Sequence, residues 1–384
     1  LIYFDNASST KTDDLVTEEM AEFAKNYYAI PSSIFSHTLG IEVADKIEEV
    51  RSFIGAYIGS KPNEIIFTAS GTESNNLAIK GFAYANKKKG NHLITSTIEH
   101  ISVLESFKRL KEEGFEITYV PVDSTGKIDL DFLHDAIKDS TILVSIQLAN
   151  QEVGTLQDIS KIADIVKEKG KTLHVDAAIA VPYVKVDLSQ TPIDLLTISP
   201  HKFYGPKGIG ILYKREDVKL AKLIDGGYNE FNLRAGHENT WAIVGIKKAF
   251  EVFKDTDVER IKQLKSYLIK RIELDIPDVI LNGNRVDSLP HIVNFTFKFI
   301  EGESISLRLD FEGIAVTTGS ACYSKNLQAS HVLLAMGKTH EDAHGSIRFS
   351  LSKYNTKEEI DFTVEKLKEI VSDLRRISPL LGGN

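Results

Sequence analysis

The chain has 384 residues, of which 42% are apolar and 26% charged, and carries a formal net charge of −8. This fits a globular protein with one large domain and a smaller one. It holds no apolar run near the roughly 18 residues of a membrane span and opens on no signal-peptide pattern, and its acidic balance argues against direct nucleic-acid binding. A single cysteine, Cys322, excludes an internal disulfide and any multi-cysteine zinc site and points to a reducing, cytoplasmic compartment.

From about residue 60 to 215, strand-like and helix-like runs alternate. "NEIIFT" reads as a strand and "ESNNLAIKGFAYANKK" as a helix; "HLITS" is a strand and "ISVLESFKRLKEEG" a helix; "FEITYVPVD" is a strand and "LDFLHDAI" a short helix. "TILVSIQLA" is again a strand, followed by the helix "ISKIADIVKEKG", where Gly170 suits a left-handed cap. "TLHVD", "IDLLTIS" and "GIGILYK" are three more strand-like runs with little helix between them. The alternation predicts an α/β fold with a mostly parallel sheet covered on both faces. Ligands of such sheets sit at the carboxyl ends of the strands.

After about residue 250 the rhythm changes to a smaller α+β unit. It has a long helix in "VERIKQLKSYLIKRIEL" and strands in "HIVNFTFKFI", "IAVTTG" and "SIRFSL". A last helix starts at Thr356, with Glu359 completing a capping box, and Ile360, Val364, Leu367, Val371 and Leu374 fall at helical spacing.

Four segments of the first unit carry chemistry. In "ISPHKFYGPKGIGILY", Ser199, His201 and Lys202 follow a strand and precede Gly205, Gly208 and Gly210. This is not a Walker loop, because Lys207 is not followed by Ser or Thr. A lone lysine at a strand end often only reaches for solvent; hydroxyl, imidazole and amine together beside a flexible turn suit a Schiff-base lysine. In "HVDAA", Asp176 ends a strand, where it can cap a helix or pair with the pyridinium nitrogen of pyridoxal phosphate (PLP). In "TASGTESNN", Ser70, Gly71 and Thr72 open a helix whose N–H groups form a phosphate cradle. His100, after "HLITS", can stack on a ring or shuttle a proton, or be an ordinary surface histidine. Each is weak alone. All four in chain order at strand ends of one sheet point to PLP chemistry.

Cys322 stands in "VTTGSACYSKN", among Thr, Gly, Ser, Lys and Asn rather than the apolar neighbours of a packed thiol. By itself it reads as an accidental surface thiol.

With "FTASGTESNNLAIKG", "HVDAA", "SPHKFYGPKGIG", "TTGSACYSKN" and "GSIRFSL", the sequence resembles the class V, fold-type I PLP enzymes, and within them the cysteine desulfurases of the NifS/IscS type, over essentially its whole length. The resemblance implies a large PLP-binding α/β domain over 12–250, a small α+β domain over 1–11 and 251–384 that carries the cysteine loop, and a homodimer. It implies Lys202 as the lysine holding PLP, His100 stacked on the ring, Asp176 on its nitrogen, and Gly71, Thr72, Ser199 and His201 at the phosphate. It places Arg348 on the substrate carboxylate, counts Asn150 among the substrate-binding residues, and makes Cys322, on an exposed loop, the nucleophile that takes sulfur from L-cysteine as a persulfide. The acceptor would be a protein such as an Fe–S scaffold or a tRNA-thiolation protein.

Four positions depart from that pattern. Ile30 stands where the family has a carboxylate-binding Asn, Gln151 where it has an Asn at the PLP phenolic oxygen, Ile179 in place of a Gln, and His237 in place of the Thr that reaches the phosphate from the partner subunit. Gln151 can supply one lost contact, and His237 can still donate to phosphate. The expectation is an active, divergent cysteine desulfurase. The alternatives are another class V PLP reaction (selenocysteine lyase, sulfinate lyase or transaminase) and an inactive homologue acting as a scaffold in a sulfur-transfer assembly. A metal hydrolase is disfavoured by the lack of HExxH.

Overall fold

A computed structural model describes residues 1–319 and 329–379 of the chain. A short strand β1 (Ile2–Tyr3) opens it. Then follow β2 (Ile65–Thr68), β3 (His92–Ser96), β4 (Glu116–Val120), β5 (Thr141–Gln147), β6 (Thr172–Asp176), β7 (Leu195–Ile198), β8 (Gly210–Lys214), β9 (Val279–Asn282), β10 (Ile292–Phe297), β11 (Ile314–Ala315) and β12 (Ser346–Ser350).

Seven strands form the main sheet in the order β2-β8-β7-β6-β5-β3-β4. β8 runs antiparallel to β2 and β7, and every other pairing is parallel. All but the edge strand β4 are buried on both sides, so they read as largely apolar runs, yet their period of two still sorts the side chains. Ile94, Val144, Leu196 and Ile211 enter one core, and their chain neighbours Leu93, Leu143, Leu195 and Leu212 enter the other. The first core is shared with the helices Thr38–Ile58, Ile159–Glu168 and Thr240–Val252, the second with Phe82, Val103, Phe107 and Leu110 from the helical runs after β2 and β3. The predicted mostly parallel α/β sheet is therefore the one observed. The helix from Gly71 reaches Asn86 through one wide turn at Leu77–Gly81, and Gly170 takes the expected left-handed conformation after the helix Ile159–Glu168.

The second unit is a three-stranded antiparallel sheet, β12-β10-β9, flanked by the helices Asp255–Asp275, Gly302–Phe311 and Lys357–Ile377. Thr356 and Glu359 form the capping box that their spacing predicts. The run "IAVTTG" is shorter as a strand than expected. Only Ile314–Ala315 pairs regularly, with β1, and Thr317 makes a separate bridge to Arg348 in β12.

Residues 1–10 join the two units. Ser350 N–H donates to Phe4 O, and Asn6 Nδ2 to Ser350 O at 2.8 Å. Thr10 N–H donates to His201 O at 2.9 Å, and Tyr204 N–H to Thr10 Oγ1 at 2.7 Å. The segment is thereby stitched between β12 and the turn after β7. No helix among the described residues is long and apolar enough to cross a membrane.

Candidate active site

Because β3, β5, β6 and β7 are parallel, their carboxyl ends lie along one edge of the sheet, and a cavity of ≈ 330 Å³ opens there. Eleven of the residues singled out in the sequence line it: Ser70, Gly71, Thr72, His100, Gln151, Asp176, Ile179, Ser199, His201, Lys202 and Arg348. They come from segments up to 278 residues apart (348 − 70) and from both sheets.

Lys202 ends a single helical turn after β7, and its Nζ donates to the carbonyls of Ala7 at 2.6 Å and Ser8 at 2.8 Å. The amine is thus held at the cavity by the N-terminal segment. Asp176, at the end of β6, is buried, and both its oxygens accept: Oδ1 from Ala178 N–H at 2.9 Å, Oδ2 from Asn75 Nδ2 at 2.7 Å.

His100 caps the helix Ile101–Glu112. Its Nδ1 accepts from Ser102 N–H at 3.2 Å and lies 2.8 Å from Ser102 Oγ. A backbone N–H can only donate, so Nδ1 carries the lone pair and the proton of the neutral ring sits on Nε2. Burial and the nearby Lys202 and His331 lower its pKa, against the opposing pull of Asp176. His201 is pushed down to about 3 by burial and by Lys202, Lys207 and His100. Both rings are neutral in a surround that is rich in positive charge.

These residues fit PLP. Ser70 caps the helix that starts at Gly71, its Oγ accepting from Glu73 N–H at 3.1 Å, and the first N–H groups of such a helix have no intrahelical acceptor. A Cβ on Gly71 would stand 3.3 Å from Ser199 Cβ and Oγ, within the space that a phosphate cradle needs. Positive charge, a glycine-lined helix start, a donor-bound carboxylate and an amine therefore face one cavity.

Arg348, in β12, is buried. Its Nη1 donates to Gln151 O at 2.9 Å, and its Nη2 to Asp5 Oδ1 at 2.8 Å and Ser8 Oγ at 2.6 Å. Its Nε is buried with no acceptor.

Asn150 does not line the cavity: its Nδ2 donates to Ile98 O, and its Oδ1 accepts from the N–H groups of Glu152 and Val153, so its amide is used in holding the turn after β5. His237 is exposed and outside this cavity, and so is Ile30. Ile179 is buried in the cavity wall. Cys322 lies outside the described residues.

Sequence reading missed Asn75, which donates to Asp176 and to Ser102 Oγ at 2.9 Å and so ties the Asp176 carboxylate to the partner of His100. Its place inside "ESNN" marks only a helix. It also missed Ala7 and Ser8, whose carbonyls hold Lys202, because backbone acceptors leave no trace in sequence.

The model of the class-V aminotransferase family matches residues 2–362. The chain is 48% identical over 381 residues to a cysteine desulfurase IscS of Dictyoglomus turgidum, covering 98% of this chain and 96% of that protein. It is 43% identical to the cysteine desulfurase IscS 1 of Archaeoglobus fulgidus, covering 98% and 99%. Among solved structures, a NifS-like protein superposes with a TM-score of 0.91 at 38% identity, covering 97% of this chain and 100% of that one. SspA in complex with cysteine superposes at 0.83 with 33% identity, covering 93% and 100%. By family model, sequence and fold together, this chain belongs to the class-V aminotransferases and, within them, to the PLP-dependent cysteine desulfurases of the NifS/IscS type.

Proposed function

We propose that the chain converts L-cysteine to L-alanine and leaves the sulfur as a persulfide on Cys322. The observation that carries this is the convergence of Lys202, His100, Asp176 and Arg348 on one cavity from segments far apart in the chain. Lys202 would hold PLP, His100 would stack on its ring, Asp176 would pair with its nitrogen, and Gly71, Thr72, Ser199 and His201 would hold its phosphate. When bound, PLP supplies an electron sink for the substrate's α-carbon.

The chain's own groups then have defined tasks. Arg348, which lines the cavity, binds the substrate carboxylate. The Lys202 amine, once free, takes the Cα proton. The Cys322 thiolate attacks the substrate's sulfur: an S–S bond forms, the Cβ–S bond breaks, and its electron pair stays with the carbon skeleton, which is protonated and leaves as alanine. His100, with its proton on Nε2, is a donor at the cavity wall. Gln151 stands where it can replace the missing asparagine, and buried Ile179 leaves that part of the wall apolar.

We further assign residues 12–250 to a large domain and residues 1–11 with 251–384 to a small one. The active form would be a cytoplasmic homodimer in which a second copy brings His237 to this cavity, and the persulfide would pass to an acceptor protein that assembles Fe–S clusters or thiolates tRNA. Exposed His237, outside the cavity of its own chain, supports the dimer.

The test is release of alanine and sulfide from L-cysteine and a thiol reductant by PLP-loaded protein, with Cys322→Ala in parallel. Equal amounts of both products, lost in the variant, are expected. A protein that binds PLP yet releases neither would overturn the assignment.

A further inference from the structure

Glu152 lies in the turn after β5, which Asn150 holds by accepting from the N–H groups of Glu152 at 2.8 Å and Val153 at 2.9 Å. On one side of it, Gln151 lines the cavity and lends its carbonyl to Arg348. The carboxyl of Glu152 is buried and meets both flanks of the stretch 320–328. After that stretch, Ser330 stands beside Glu152, with Gly319 packed against both, and its hydroxyl oxygen accepts from Leu333 N–H at 3.2 Å, capping the helix His331–Ala335. Before it, Gly319 packs so closely that a Cβ there would stand 2.0 Å from Glu152 Oε1 and 3.1 Å from Ser330 Cβ. Oε1 has no hydrogen-bond partner. Burial raises the pKa of this carboxyl, while the Ser330 hydroxyl and Arg348 oppose that rise.

A buried carboxyl with an orphan oxygen carries a desolvation penalty, which an apolar residue of similar size would avoid. Structure alone gives no reason to keep it. Its contacts do: it touches the last described residue before Cys322 and the cap of the first helix after it, one residue from the carbonyl that holds Arg348.

We propose that Glu152 is a positioning residue that pins both ends of the Cys322-bearing stretch beside Arg348, so that the thiol meets the substrate's sulfur. It acts through Gly319 and Ser330. The inference rests on the desulfurase reading above. A misplacement of about 1 Å in a reacting group costs on the order of 10²-fold in rate, so the effect is measurable.

The experiment compares PLP-loaded wild type, Glu152→Ala, Glu152→Gln and Gly319→Ala in two readouts. The first is exchange of the α-hydrogen of saturating L-alanine in D₂O by NMR, which needs the cavity but no thiol. The second is single-turnover persulfide formation on Cys322, followed by mass spectrometry; Cys322 is the only cysteine, so the mass shift is unambiguous. Glu152→Ala and Gly319→Ala should keep the exchange and lose about 10²-fold in persulfide formation. Glu152→Gln, with the same size and a polar head, should restore most of it. Persulfide formation at the wild-type rate in Glu152→Ala would overturn the inference, and so would parallel loss of exchange and persulfide in all three variants, which marks a merely structural role. If wild type exchanges alanine but forms no persulfide from cysteine, the desulfurase reading itself falls and takes this inference with it.

Discussion

Arg348 and Asp5 form a partly buried ion pair, with Nη2 2.8 Å from Oδ1, that ties β12 to the N-terminal segment. The same segment holds the Lys202 amine through Ala7 and Ser8. The two cations of the site are therefore set by one short stretch of chain, and residues 5–8 act as a common jig for them. Only a planar fork reaches Asp5, Ser8 and Gln151 together and still leaves Nε free. Arg348→Lys should raise KM for L-cysteine by about 10- to 100-fold, the loss of one charge-assisted pair, with a smaller effect on kcat. Steady-state kinetics checks this.

Acid should unfold the protein through its buried histidines. Burial lowers His174 to about 4 and His291 to about 3, His201 falls to about 3, and His100 is lowered too. All four sit below the unfolded value of about 6.5. As pH drops below 6.5 the unfolded chain gains protons that the folded chain does not, so stability is lost on the acid side, at up to about 1.4 kcal/mol per pH unit for each histidine. Urea midpoints from pH 7.5 to 4.5 should fall steadily below 6.5. His291→Gln or His174→Gln should flatten part of that fall.

The catalytic pH profile has its own sign. His100 is neutral with its lone pair on Nδ1, and its lowered pKa keeps it so as pH falls through 6.5. The acid limb of kcat/KM belonging to His100 should therefore lie below pH 6.5, and His100→Gln should remove that limb while lowering the plateau by about 10²- to 10⁴-fold.

Gly210 leaves no room for a side chain. A Cβ there would stand 2.4 Å from Ser70 C and 2.5 Å from Ser70 O, which is rigid backbone at the start of the helix from Gly71. Gly210→Ala should cost about 1–3 kcal/mol of stability. By displacing Ser70 it should also weaken PLP binding, read by titrating the cofactor's visible absorbance.

Glu230 anchors the outer strand of the main sheet. Its carboxylate accepts from Arg51 Nη1 and Nη2 at 3.0 and 2.9 Å and from Phe67 N–H at 2.7 Å, and both side chains are almost wholly buried. Removing one partner strands the other charge. Glu230→Ala should cost about 3–5 kcal/mol, measured by chemical denaturation.

Features encoded within a few residues were legible in the chain. The period-two sorting of Leu143 and Val144, the capping box at Thr356 and Glu359, and the turn at Gly170 all depend on local backbone geometry. The strand-end positions of Lys202, Asp176 and His100 follow from the same alternation, since parallel strands must present their carboxyl ends on one side.

Tertiary structure decided which partners those residues meet. Asn150 reads as a substrate ligand, yet Ile98 O and two backbone N–H groups take up its amide. Asn75, Ala7, Ser8 and Glu152 carry no motif, and their roles arise only when a helix face, a terminal segment and a turn are brought within hydrogen-bond reach of the strand ends. Local propensity acts along the chain, so a sequence can declare its elements and their ends. A hydrogen bond between residues 348 and 5 depends on how the sheets pack, and packing is settled by the buried surface of the whole molecule.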